Sequence, residues 1–78
     1  MPTLLIWRGH NFRFYALDMD EPPHCHIVKD GKSLKIWLQS LEVARNKGYN
    51  DREVERLLAV VVEHRDDWMD AWNAFFGL

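Results

Sequence analysis

The sequence predicts an α+β fold: an antiparallel sheet of four to five strands, built as two hairpins, with one long C-terminal helix packed on one face. Three observations carry this. Short β-rich runs fill the chain up to residue 48, tight-turn residues divide them, and from residue 50 the apolar residues recur at helical steps. At 78 residues the chain reads as a single domain, 1–78, near the size at which one core becomes hard to build.

"LLIWRGHNFRFYAL" reads as two strands around a Gly9-His10-Asn11 turn. "CHIVKDGKSLKIWL" is a second hairpin, in which Asp30-Gly31 supplies the positive φ angles of a two-residue loop. That loop pairs Lys29 with Lys32, Ile27 with Leu34 and Cys25 with Ile36, alternating with His26 opposite Lys35 and His24 opposite Trp37. "LEVARN" fits either a fifth strand or a helical turn over 41–47. Beyond it, Val54, Leu57, Leu58, Val61, Trp68, Trp72 and Phe75 form one apolar stripe. Asn50 with Glu53 forms the starting cap and Gly77 the stop. His64 and Arg65 occupy the stripe midway, and the pattern leaves open whether the helix is straight or bent near 64–67.

If the apolar set of the second hairpin faces the helix, His24 and His26 face away from it beside Lys35 and Trp37. The first hairpin adds Arg13 and Tyr15 to that outer face and turns Phe12, Phe14, Leu5 and Trp7 inward. An exposed histidine pair near a lysine is expected to have a lowered affinity for protons.

Composition excludes several classes. The apolar runs "LLIW" and "LLAVVV" are too short to span a bilayer, and Met1–Trp7 lacks the marks of a signal peptide. One cysteine allows no internal disulfide, which suits a reducing cytoplasm. A net charge of −2 gives no general attraction to nucleic acid, but residues 1–48 carry seven Lys/Arg against five Asp/Glu and residues 49–78 carry three against seven.

"EPPHCHIV" is where chemistry concentrates. In one reading His24 and His26, two residues apart on a strand, share a metal ion completed by Asp20, or by Asp18, Glu21 or His10. In another they form an acid–base couple acting on RNA, with Lys35 and Tyr15 in the catalytic set and Arg13, Trp37, Pro22 and Pro23 in the binding set. In the third, Pro22-Pro23 stiffens the start of the strand and guards an edge, while the histidines bond loop carboxylates and carbonyls or sit in a protein interface. Cys25 points inward as a small core residue. Nothing in the sequence requires a cofactor.

"GHNFRFYALDMDEPPHCHIVKDGKSLKIWL" followed by "LEVARNKGYNDREVERLLAVVVEHRDDWMDAWNAFFG" resembles a family of short bacterial and archaeal proteins, the domain of unknown function four-one-six-zero. The MPT start, the Pro22-Pro23-His24-x-His26 motif, the Leu-x-x-Ala-x-Asn-x-Gly-aromatic segment and the aromatic end of the helix carry the resemblance. Cys25 departs from it, standing where the family more often has an apolar or aromatic residue. The resemblance implies a toxin–antitoxin-like module whose second small protein is encoded nearby. The expected function is therefore a cytoplasmic, membrane-free module component acting through that partner, with RNA bound or cleaved at the His24/His26 face; a homo-oligomer also fits so small a core. The alternatives are a metal-dependent small enzyme and a non-catalytic interaction module.

Overall fold

Two tight turns set the sheet. β1 (Thr3–Trp7) and β2 (His10–Arg13) are joined at Arg8-Gly9, one residue before the expected Gly9-His10-Asn11 turn, so that Trp7 lies opposite His10. A two-residue loop follows the right-handed twist of its strands when both central residues have positive φ, and Arg8 (52°) and Gly9 (80°) both do. Arg8 tolerates this because its surroundings hold it: its guanidinium lies 4.7 Å over the Trp7 ring, and its carbonyl accepts from Lys29 Nζ at 3.1 Å.

β3 (His24–Lys29) and β4 (Lys32–Trp37) pair in the register read from Asp30-Gly31, from Lys29 opposite Lys32 through His24 opposite Trp37. β5 (Val43–Lys47) is a strand and not a helical turn; it pairs with β4 after a turn in which the Leu41 N–H donates to the Trp37 carbonyl at 2.9 Å. The strands lie in the order β1-β2-β3-β4-β5, all neighbours antiparallel. The computed structural model describes residues 3–77; Met1, Pro2 and Leu78, and with them the first two residues of the MPT start and the ends of the expected 1–78 domain, lie outside the described residues.

α1 (Asp51–Phe76) begins where expected. Asn50 Oδ1 accepts from the Glu53 N–H at 2.8 Å, Glu53 returns a carboxylate to the Asn50 N–H at 3.2 Å, and Gly77 closes the helix in the left-handed region. The helix runs through 64–67 without interruption. The two polar residues on its stripe both find partners there. His64 Nδ1 donates to the Val60 carbonyl at 2.8 Å while its ring stacks on Trp68, and Arg65 Nε donates to the Leu38 carbonyl at 2.8 Å. Among the described residues no helix is long and apolar enough to cross a membrane.

The core lies between sheet and helix. Phe12, Phe14, Cys25, Ile27, Leu34, Ile36 and Leu38 meet Leu57, Val60, Val61, Trp68 and Trp72, with Leu5, Trp7, Val54 and Leu58 packed at its margin. The stripe steps from Trp68 to Trp72 and then to Phe76, four residues on, so Phe75 falls at its edge and is exposed while Phe76 packs inward. At 26 residues α1 is about 39 Å long, roughly twice the six-residue strands, so its last turns reach the end of the sheet where β3 begins.

At the opposite end of the sheet, His10 is buried, with Nδ1 2.9 Å from the Tyr49 hydroxyl. Burial pushes the Tyr49 hydroxyl up to about 12, so it remains protonated. Burial first, then the cations of Lys29 and Lys32, hold His10 below its ordinary value, against the opposing pull of Glu53 and Asp30. The unfolded chain therefore takes up this proton first. The contribution is complete above about pH 6.5 and shrinks as pH falls below it. His10→Gln is expected to lower the melting temperature at pH 7.5 but to flatten its decline between pH 7.5 and 5.5; an unchanged slope would show that His10 carries no part of the acid sensitivity.

Candidate functional site

The loop between β2 and β3 builds one corner of the sheet. Tyr15 ends the extended chain, Ala16–Asp20 turn as a short 3-10 helix, and Pro22-Pro23 lead stiffly into β3. Asp18 fastens this loop to itself: its Oδ2 accepts from the Tyr15 N–H at 2.8 Å. Pro23 contributes its carbonyl, which accepts from the Leu38 N–H at 2.9 Å and extends the β3–β4 pairing past Trp37.

His24 and His26 converge here. Their Nε2 atoms are 3.2 Å apart, and Asp18 Oδ1 lies 3.2 Å from His26 Nε2 and 3.3 Å from His24 Nε2. His24 Nδ1 is 2.8 Å from the Pro22 carbonyl. A carbonyl only accepts, so Nδ1 carries the hydrogen, and in the neutral tautomer that this selects Nε2 is a bare lone pair. Burial holds His26 below its ordinary value, in spite of its hydrogen bond to Asp18. The expected lowering is thus present for His26, but desolvation is its first cause and Lys35 a minor one.

The register placed these residues correctly; their exposure is different. His26 keeps 21% of its side chain exposed, but His24 is fully buried, against the expectation that both would be open. The long helix brings Trp72 around the end of the sheet to 5.2 Å from the His24 ring, Trp37 closes on it at 5.5 Å, and the Asp18 loop covers the remainder. The metal set also differs from that favoured in sequence: the three donors that meet are Asp18, His24 and His26, whereas Asp20 is exposed outside the group and His10 is engaged with Tyr49.

Around this corner the outer face is cationic and aromatic. The Tyr15 ring meets His26 edge-on at 4.7 Å and carries the Arg13 guanidinium at 4.5 Å. Lys35 lies over Trp37 at 4.6 Å and binds Glu21, whose carboxyl it holds below the usual range. Arg13 Nε and Asn11 Oδ1, on the same face of β2, are buried without a hydrogen-bond partner among the described residues. A groove of about 400 Å³ runs from His26 past Ser33, Lys35 and Trp37 to Arg45 and Lys47. Arg45 and Lys47 were not among the expected site residues. Pairing of Lys35 with Arg45 and Ser33 with Lys47 brings them there, and that register is readable only once 41–47 is a strand.

The structure thus gathers His24, His26, Lys35, Tyr15, Arg13 and Trp37 on or beside one surface, with Pro22 and Pro23 serving through their backbone. Cys25 faces the core, where burial pushes its thiol up to about 12, and offers no nucleophile. A family model described as "Domain of unknown function (DUF4160)" matches residues 9–73. No curated protein and no solved structure matches the chain.

Proposed function

The chain belongs to the family described as Domain of unknown function (DUF4160), and from its outer sheet face we propose that it binds single-stranded RNA along the groove and cleaves it at the His24–His26–Asp18 corner. The observation that carries this is the segregation of charge between the two layers. Arg13, Lys35, Arg45 and Lys47 lie on the outer face of the sheet, where Glu21 pairs with Lys35, while on the helix the exposed acids Glu55, Glu63, Asp66, Asp67 and Asp70 outnumber the exposed Arg52 and Arg56. A net charge of −2 hides this separation. Phosphates are drawn to a local field, and the cationic face is open along a groove.

Aromatic rings complete the fit. Sheet surfaces that bind single-stranded RNA stack unpaired bases on exposed rings and hold the backbone with cations, and Tyr15 and Trp37 stand beside Arg13 and Lys35 in that way. The groove ends at His26, so a bound phosphodiester would lie next to basic nitrogens able to assist a hydroxyl or a water. The cytoplasmic setting expected from the single buried cysteine suits such a target. The second small protein implied by the resemblance belongs to the same proposal as a regulator of access to this face; what supports it is β5, an edge strand exposed along its whole length beside the groove.

The direct test is binding of a labelled single-stranded RNA to Arg45→Glu/Lys47→Glu. Both side chains are exposed, so folding should be unchanged. Affinity is expected to fall at least about tenfold, and the dependence of log affinity on log salt to flatten by about 0.7 for each phosphate that the variant no longer neutralises. Equal affinity and equal salt slope in the double variant would remove the groove as the binding surface.

A further inference from the structure

We infer that Asp18, His24 and His26 form a site for one first-row divalent cation of the zinc kind, with a coordination position left open toward the groove. The inference starts from three donor atoms. His24 Nε2, His26 Nε2 and Asp18 Oδ1 form a nearly equilateral triangle with edges of 3.2, 3.2 and 3.3 Å. Tetrahedral coordination with bonds of about 2.0–2.1 Å sets neighbouring ligands about 3.3 Å apart. An octahedral ion with bonds of the same length would set them about 2.9 Å apart. The observed spacing is the tetrahedral one.

Hydrogen bonding alone accounts poorly for this corner. With Nδ1 of His24 donating to the Pro22 carbonyl, the neutral tautomer would turn an electron pair toward the carboxylate oxygen of Asp18 at 3.3 Å, with no hydrogen between them. The hydrogen on His26 Nε2 can face one of these acceptors well, or both poorly. His24 is fully buried and Asp18 keeps only 11% of its side chain exposed, so water cannot relieve that opposition. A cation just off the plane of the triangle, about 2.0–2.1 Å from each of its corners, satisfies all three donors together.

The surroundings also match a ligand set that is held from behind. Metal-bound imidazoles usually give their other N–H to a carbonyl or carboxylate, which fixes tautomer and ring orientation. His24 does so to Pro22 at 2.8 Å. The second oxygen of Asp18 accepts from the Tyr15 N–H at 2.8 Å, leaving the first oxygen for the ion. Tyr15 packs edge-on against the His26 ring. Two imidazoles select a zinc-like ion over magnesium, whose sites are built from oxygen. Three protein ligands leave a fourth position for water or substrate, and His26 places it at the end of the cationic groove. This inference concerns what the corner holds and stands apart from the identity of the substrate.

The test uses full-length protein stripped with a chelator and then titrated with Zn²⁺ alone. One Zn²⁺ per chain is expected, with a melting temperature that rises with zinc concentration, and Co²⁺ is expected to give the intense visible bands of a four-coordinate ion. His26→Gln and Asp18→Asn should each weaken zinc binding by at least about tenfold, as replacing a ligand costs no less than disturbing the groups behind it. His64→Gln, on the helix, should bind zinc like the unaltered chain. The inference is overturned if the folded, stripped protein binds no stoichiometric zinc, if its cobalt spectrum is the weak one of an octahedral ion, or if His64→Gln loses zinc as His26→Gln does. Should a variant fail to fold, stoichiometry and cobalt spectrum of the unaltered chain decide. No RNA enters these measurements, so failure of RNA binding and failure of the metal site are read separately.

Discussion

Trp68→Ala is expected to lower the melting temperature by more than about 10 °C. Trp68 is 5% exposed on the stripe of the only α-helix among the described residues, with its ring 5.4 Å from Phe12 across the core and His64 stacked on it at 4.9 Å. Truncating such a ring costs about 3–5 kcal/mol, because transfer free energy is lost and a cavity remains. A domain of this size is stable by about 4–12 kcal/mol, and each kcal/mol moves its melting temperature by about 4–8 °C. Phe75→Ala provides the comparison. Phe75 is 39% exposed at the stripe's edge, and its loss should cost clearly less. A thermal melt in which both variants behave alike would place Trp68 outside the core.

Most of this architecture is legible in the chain because each element carries its own local signal. Asp30-Gly31 specifies a two-residue loop, and one loop specifies six cross-strand pairs, since a slip by one residue would turn Lys35 into the core. Asn50, Glu53 and Gly77 mark both ends of α1 by groups that satisfy its free backbone N–H and C=O atoms. Where two local signals compete, the pattern misleads. His10 and Asn11 are good turn residues beside Gly9, but the turn falls on Arg8-Gly9, and tertiary contacts of Arg8 with Trp7 and Lys29 support its positive φ. His64 and Arg65 stand on an apolar stripe for reasons the helical pattern does not show, since their partners are the Val60 and Leu38 carbonyls.

The site is legible in membership and not in depth. Alternation along β3 tells which way His24 and His26 point, but nothing local tells that Trp72 reaches His24 from nearly fifty residues away. Asp18 and Asp20 are equivalent in sequence. A single turn of 3-10 helix, capped by Asp18 itself at the Tyr15 N–H, sends one carboxylate to the histidines and leaves the other in solvent. The burial of His24 also changes how the pair should be dissected. Replacing both histidines with glutamine would spare folding if both were open, but the His24 ring packs between Trp37 and Trp72, and its loss is expected to destabilise the corner.

His26 is the residue through which cleavage can be tested cleanly. It lines the groove, remains partly exposed and is not packed against the helix, so His26→Gln keeps size and polarity at modest cost to the fold. Loss of a group that assists proton transfer or activates water lowers a rate by about 10²–10⁴-fold. His26→Gln is therefore expected to bind single-stranded RNA as the unaltered chain does, through Lys35, Arg45 and Lys47, and to cleave it at least about 100-fold more slowly. Arg45→Glu/Lys47→Glu should show the reverse: weak binding, with cleavage restored toward normal at saturating RNA. This crossed pattern distinguishes a reaction centre from a binding surface, because a corner that only held the loop in place would weaken binding and cleavage together. Cleavage by His26→Gln at the unaltered rate would leave the face as an RNA-binding surface and remove the reaction from the corner.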